Sequence, residues 1–191
     1  MSIRPPPRFG AWLLLACCAL CAPLNASAAT SGNRYRVEII IFRTAMAASS
    51  EDWNAPPEGR GFDRGNTSGA PPQVLATLDA DKLQMGGMAS KLRNGGYRIL
   101  AHTGWIQSAT NWPAHLGLDL SAVGISVPGL TGQIYVERGT LLHMGVDLTL
   151  AGSPSYRLKE LRRIKFNEKQ YFDHPALGVI ALVSPVGASA Q

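Results

Sequence analysis

LLHMGVDLTL, residues 141–150, is the stretch on which the fold turns. Leu142, Met144, Val146, Leu148 and Leu150 alternate with Leu141, His143, Gly145, Asp147 and Thr149. A period of two places these two sets on opposite faces of a β-strand. The all-apolar face must be buried; the mixed face points away from the core. The neighbouring runs repeat the pattern. In GQIYVER (132–138), Ile134 and Val136 face in while Tyr135 and Glu137 face out. In YRLKELRRIKF (156–166), Tyr156, Leu158, Ile164 and Phe166 share one face, and Arg157, Lys159, Arg163 and Lys165 share the other. Arg138-Gly139 and Ser153-Pro154 punctuate the three runs as antiparallel hairpin turns would. Paired in order, these runs make a meander with one face carrying Tyr135, His143, Asp147 and four cations.

Working outward, YRVEIIIFR (35–43) is apolar on both faces, with Val37, Ile39 and Ile41 on one and Ile40 and Phe42 on the other. It reads as a buried central strand. Residues 44–78 are rich in Ala, Ser, Gly and Pro and predict a long surface excursion, pinned by Trp53; the NTS triplet at Asn66 carries no weight. A helix is expected over about 79–93, capped by Asp79 or Asp81 and stopped by Asn94-Gly95-Gly96. Gly86 and Gly87 inside it each cost roughly 1 kcal/mol against Ala, so either another element packs very close or the helix is weak. YRILAHTGW (97–105) is a second strand, 107–130 a long loop, and ALGVIALVS (176–184) a last apolar strand. Two strands flanking one helix suggest a right-handed crossover. The expectation is an α+β fold: a single mixed, mostly antiparallel sheet of about five to six strands with one main helix packed on one face.

The N-terminus reads as an address. Arg4 and Arg8 precede the apolar run AWLLLACCALCA (11–22) and the small residues Ala26 to Ala29, the pattern of a secretory signal peptide covering 1–29. A lipoprotein signal with Cys17 lipidated is the alternative. All three cysteines, Cys17, Cys18 and Cys21, fall in that segment. The exported chain would then have no disulfide and no thiol nucleophile, and its roughly 160 residues must rely on a core of their own. No other stretch approaches the roughly 20 apolar residues of a membrane-spanning helix. Of 18 basic and 13 acidic residues, removing Arg4 and Arg8 leaves 16 against 13. That mild positive balance argues against a nucleic-acid partner and suits an acidic polymer or anionic surface. The organisation expected is a signal peptide (1–29), one domain (30–184) with long loops at 44–78 and 107–130, and a flexible tail (185–191).

Four stretches in order, RYRVEIIIFR (34–43), LRNGGYRILAHTGW (92–105), ERGTLLHMGVDLTL (137–150) and YRLKELRRIKFNEKQYFDHPALGVIAL (156–182), resemble the CsiV family of bacterial periplasmic peptidoglycan-binding proteins. The resemblance spans about 34–184. Its most specific parts are Tyr156 to Arg163 and Tyr171 to Pro175; the Gly- and Pro-rich 44–78 region and Gly86-Gly87 depart from it. It implies a periplasmic, non-enzymatic wall protein tied to cell shape and peptidoglycan assembly. Its implied partners are peptidoglycan, penicillin-binding synthases and the outer-membrane lipoproteins that activate them. It carries over no ligand-contact residues.

The residues themselves offer little catalysis. Asp173 and His174 are adjacent, and neighbours on an extended chain point to opposite faces, so the pair makes a poor dyad. Followed by Pro175 and Gly178, they read as a turn steering the chain into the last strand. The four histidines, His102, His115, His143 and His174, lack metal-binding spacing, no serine sits in a GxSxG elbow, and no cofactor or metal is expected. No catalytic residue is assigned. The candidate ligand-binding set is Tyr135, His143, Arg157, Lys159, Arg163 and Lys165, because Arg grips a carboxylate with two hydrogen bonds and an aromatic ring offers a flat amphipathic platform. Trp105 and Trp112 are further candidate platforms, though Trp105, ending a strand, fits the core better. A wall hydrolase and a purely protein-binding adaptor remain the alternatives; two acids converging in a cleft would mark the first, and an exposed apolar patch the other.

Overall fold

The computed structural model describes residues 34–44 and 71–187. The segment read as a signal peptide with its three cysteines, the part of the excursion over 45–70 with Trp53 and Asn66, and residues 188–191 lie outside the described residues. Among the described residues are ten strands and one α-helix. In chain order the strands are β1 (Arg34–Arg43), β2 (Val74–Thr77), β3 (Arg98–Ser108), β4 (Thr110–Asn111), β5 (Leu118–Asp119), β6 (Leu130–Arg138), β7 (Leu142–Leu150), β8 (Tyr156–Ile164), β9 (Lys169–Phe172) and β10 (Leu177–Pro185). The helix, α1, is Gly86–Asn94.

The strands form two sheets, not the single one expected. One has the order β2-β3-β1-β10-β9 and is antiparallel throughout. The other, the meander sheet, has the order β4-β6-β7-β8, with β5 also on β6; only β4 runs parallel to its neighbour. The reason is burial. Val37, Ile39 and Ile41 of β1 pack with Val179, Ala181 and Val183 of β10 in one core with Ile134, Val136, Met144, Val146 and Leu148 of the meander sheet. Ile40 and Phe42 of β1, with Ile180 and Leu182, take Met85 and Ala89 at the helix. A strand apolar on both faces needs two covers, and one nine-residue helix provides only one. The coarser α+β expectation, strands with a helix on one sheet face, stands; the molecule is strand-dominated and the helix is the outer layer.

β1 and β3 are antiparallel neighbours, Arg34 opposite Ser108 and Arg43 opposite Arg98, so the inferred crossover does not exist. The helix is shorter than expected because 80–82 form a separate 3-10 turn, and neither Asp79 nor Asp81 caps α1. Its amino end is held from another element. The buried Glu38 of β1 accepts the backbone N–H groups of Gln84 and Met85, both at 2.7 Å, and His102 Nε2 lies 2.8 Å from the same carboxylate. A carboxylate is favoured there, because a helix start leaves N–H groups unpaired and carries partial positive charge. A Cβ on Gly86 or Gly87 would meet nothing within 4 Å, so close packing does not explain them. They sit in the first helical turn, where this docking substitutes for intrinsic propensity.

The region read as a loop over 107–130 contains the end of β3, then β4, β5 and a 3-10 turn at Leu120–Val123. The end of the 44–78 excursion is edge strand β2. The last strand runs to Pro185, and the Val186 N–H donates to the Arg34 carbonyl at 2.9 Å, so the start of the expected tail is anchored.

Candidate functional site

The meander pairs in order, as inferred from its short turns. Across the outer face of its sheet, Glu137, His143 and Arg163 form one row; Tyr135, Gly145 and Leu161 the next; and Gln133, Asp147 and Lys159 a third. Thr131, Thr149 and Arg157 make a fourth. Four of the six candidate residues, His143, Arg157, Lys159 and Arg163, thus lie on this face within reach of solvent. Two do not serve as expected. Lys165 falls past the end of β8, in the turn before β9, where it pairs with Glu168 at 3.5 Å. Tyr135 does point outward, but it is buried, and its hydroxyl donates to Gln133 Oε1 at 2.9 Å.

What covers Tyr135 is a strap. β4 pairs with β6 at Glu137 and Arg138, and β5 pairs with it at Gln133 and Ile134. Residues 112–117 between them must arch from one point on that edge to the other. They do so over the outer face: a Cβ on Gly117 would come within 2.9 Å of the Tyr135 ring, so only glycine lets the strap lie this close. The Trp112 N–H donates to the Arg138 carbonyl at 3.2 Å and the Ala114 N–H to the Asn111 carbonyl at 2.8 Å. His115 adopts φ 51°, and its Nδ1 lies 3.2 Å from Glu137 Oε2.

Glu137 is the anchor of this strap and is fully buried. Burial pushes its carboxyl up from the ordinary value, against the opposing pull of His115 and of backbone N–H groups at His115 and Leu116. Its Oε1 has no hydrogen-bond partner among the described residues. Next in the row, His143 stacks on the indole of Trp112, ring centroids 3.8 Å apart and planes at 17°. Burial, with the electrostatic influence of Arg163 and His115, holds His143 below its usual range, while the Leu141 backbone pulls the other way. The ring of His115 stands nearly perpendicular to Trp112, centroids 5.2 Å apart and planes at 84°. Trp112 is thereby fixed in orientation while remaining 39% exposed.

The cations divide sharply. Arg157 grips Asp147 with two hydrogen bonds of 2.9 Å, and Lys159 lies 3.7 Å from the same carboxylate. The Asp147 contact raises Arg157 above its ordinary value. Arg162 lies on the opposite face, where it meets Glu160 at 3.0 Å, sits 4.5 Å over the Phe172 ring and donates to the Tyr171 carbonyl, so that it clips the edge of one sheet to the other. Arg163 has no ion-pair partner among the described residues and is exposed.

Trp105 is buried in the core, its indole N–H donating to Gln107 Oε1 at 2.7 Å, and is no platform. Asp173 and His174 each hydrogen-bond to another group. Asp173 accepts from the Tyr171 hydroxyl at 2.7 Å, while His174 Nδ1 takes the Ala176 N–H at 3.2 Å and its carbonyl the Leu177 N–H. That is the hydrogen-bonding of a turn into β10. No group of three or more metal-ligating side chains occurs among the described residues, and no helix there is long and apolar enough to cross a membrane.

The strap is not legible in the sequence as a strap, although a signal for it exists. Leu116, Leu118 and Leu120 alternate inside the supposed loop, a short strand pattern that brings the chain back to β6. Glu137 and His115 escape a linear reading because nothing in their spacing announces that they meet. Comparison with protein-family models, with curated proteins and with solved structures gave no match.

Proposed function

We propose that this chain is a non-enzymatic peptidoglycan-binding protein of the CsiV type, exported to the periplasm by a cleavable signal peptide. It would support wall assembly and cell shape by engaging the wall together with its penicillin-binding synthases and their lipoprotein activators. The observation that carries the reading is the outer face of the meander sheet. There a partly exposed, orientationally fixed indole stacks on His143, and directly opposite His143 is a guanidinium that has no ion pair among the described residues. Wall glycans offer sugar rings to the indole and carboxylates to the guanidinium.

Binding is favoured over hydrolysis by the state of the acids on this face. Glycoside cleavage needs two carboxyl groups flanking a bond in a cleft. Glu137 lies wholly under the strap and Asp147 is held by Arg157 and Lys159. The test is co-sedimentation of the purified exported chain with insoluble peptidoglycan at low and high salt. The chain should pellet at low salt, pellet less at high salt, and release no soluble fragments from the wall. Failure to pellet under any salt condition, or release of muropeptides, would sink the reading.

A further inference from the structure

We infer that Trp112 and Arg163 form a subsite for a carboxylate-bearing sugar unit, the sugar ring lying on the indole and the carboxylate taken by the guanidinium. The inference rests on the wall-binding reading and goes further: it states which chemical feature of the glycan this face reads.

Charge pairing is what isolates Arg163. Between 157 and 165 the chain places five cations. Asp147 neutralises Arg157 and is shared with Lys159, Glu160 takes Arg162, and Glu168 takes Lys165. Of the five, Arg163 alone lacks a carboxylate among the described residues. The one acid in its own row is Glu137, two strands away, buried and committed to His115 and the strap. A guanidinium left exposed in this way keeps its fork of donors for an incoming carboxylate.

The indole stacked on that row is built rather than merely exposed. Trp112 is stacked on His143, set nearly perpendicular to the ring of His115, and tethered through its backbone to Arg138. His143, the ring on which Trp112 stacks, is the residue directly opposite Arg163, so one imidazole links the platform to the cation. A neutral glycan would find the indole only. A sugar bearing a carboxylate would engage both groups, and the difference is a charge-assisted, two-point contact. Two features of the wall carry that chemistry: the lactyl carboxylate on the muramic ring, and the free carboxylates of the stem peptide.

The experiment titrates the full exported chain with a neutral chito-oligosaccharide, with N-acetylmuramic acid and with N-acetylmuramyl dipeptide, following the backbone amide resonances of the strap and of β8. At least one acidic probe should bind about tenfold more tightly than the neutral one. Arg163→Gln should erase that preference while leaving the neutral probe unchanged; Trp112→Ala should weaken all three. Preference for the muramic acid assigns the lactyl carboxylate, and preference for the dipeptide assigns the peptide. Equal binding of neutral and acidic probes, or an acidic preference that survives Arg163→Gln, overturns the subsite. The same proteins are pelleted with wall: a wild type that pellets but shows no acidic preference refutes the subsite and leaves wall binding standing. A chain that neither pellets nor binds a probe refutes both.

Discussion

Asp147→Asn should weaken the fold slightly and strengthen wall binding. Asp147 is the carboxylate that holds Arg157 in a two-bond grip of 2.9 Å each and lies 3.7 Å from Lys159. The Arg157 side chain is 51% exposed, so the pair belongs with surface ion pairs, whose measured worth is about 0.2–1 kcal/mol. Its bidentate geometry puts it near the upper end, about 1 kcal/mol, or a fall in Tm of about 3 °C for a domain of this size. Binding moves the other way. Two cations on the same face as Arg163 lose their counter-charge, and the formal net charge of the full chain rises by one from +5. Freed surface charges of this kind should tighten association with an acidic polymer by about two- to fivefold at low salt. Pelleting with wall as a function of salt, beside urea unfolding of the same variant, measures both effects. The binding gain should vanish near 1 M salt, where the screening length falls to about 3 Å. A folded variant that binds no better than wild type at low salt would show that the potential of this face does not draw the wall, and the charge argument would fall with it.

Removing the anchor of α1 should be far more costly. Glu38→Ala leaves two backbone N–H groups at the helix start and His102 without their buried acceptor and should lose about 3–5 kcal/mol in urea unfolding; a loss under about 1 kcal/mol contradicts the docking argument. Gly117→Ala should cost about 1–3 kcal/mol by driving a methyl into the Tyr135 ring, and a double-mutant cycle with Tyr135→Leu should recover part of it; additive effects would mean the strap does not press on that ring. The stability that comes from keeping His143 neutral should be present above its ordinary value of 6.5 and lost as the pH falls through its lower folded value, so His143→Gln should flatten that part of the stability–pH curve. Glu137 has the opposite sign: its raised folded value means stability present below 4.5 and lost as the pH climbs through the folded value, so Glu137→Gln should flatten the curve on that side.

Alternation carries the outer face a long way. It identifies which residues of β6, β7 and β8 share a side, and in-order pairing of short hairpins then puts His143 opposite Arg163. It cannot say what lies on top of that side. Outward parity makes Tyr135 a platform in the sequence, and the parity is correct; a strap from residues 112–117 buries it all the same. Parity also cannot count sheets. The two apolar faces of β1 imply burial on both sides, but strand patterns do not reveal whether the cover is the same sheet folded over or another one. Lys165 shows the converse limit, since the pattern runs two residues beyond the strand that carries it.

Charge is the property a linear reading handles least well, because neutralisation is a matter of distance. Arg157 and Arg163 are equivalent in the sequence: same residue, same strand, same face. In the structure Arg157 meets Asp147, whereas Arg163 sits opposite the ring of His143. A strand rises about 3.3 Å per residue, so six residues set the two positions roughly 20 Å apart along β8, beyond reach of a shared carboxylate. The acid that could have served Arg163 is Glu137 in the same row. It is held instead under the strap with His115, and that commitment leaves the guanidinium open while the same strap fixes the indole beside it. The open guanidinium, the fixed indole and the burial of Glu137 are therefore one arrangement. Strain placed in the strap at Gly117 should accordingly weaken the acidic-probe preference along with stability, although the atoms nearest a side chain there belong to Gln133 and Tyr135.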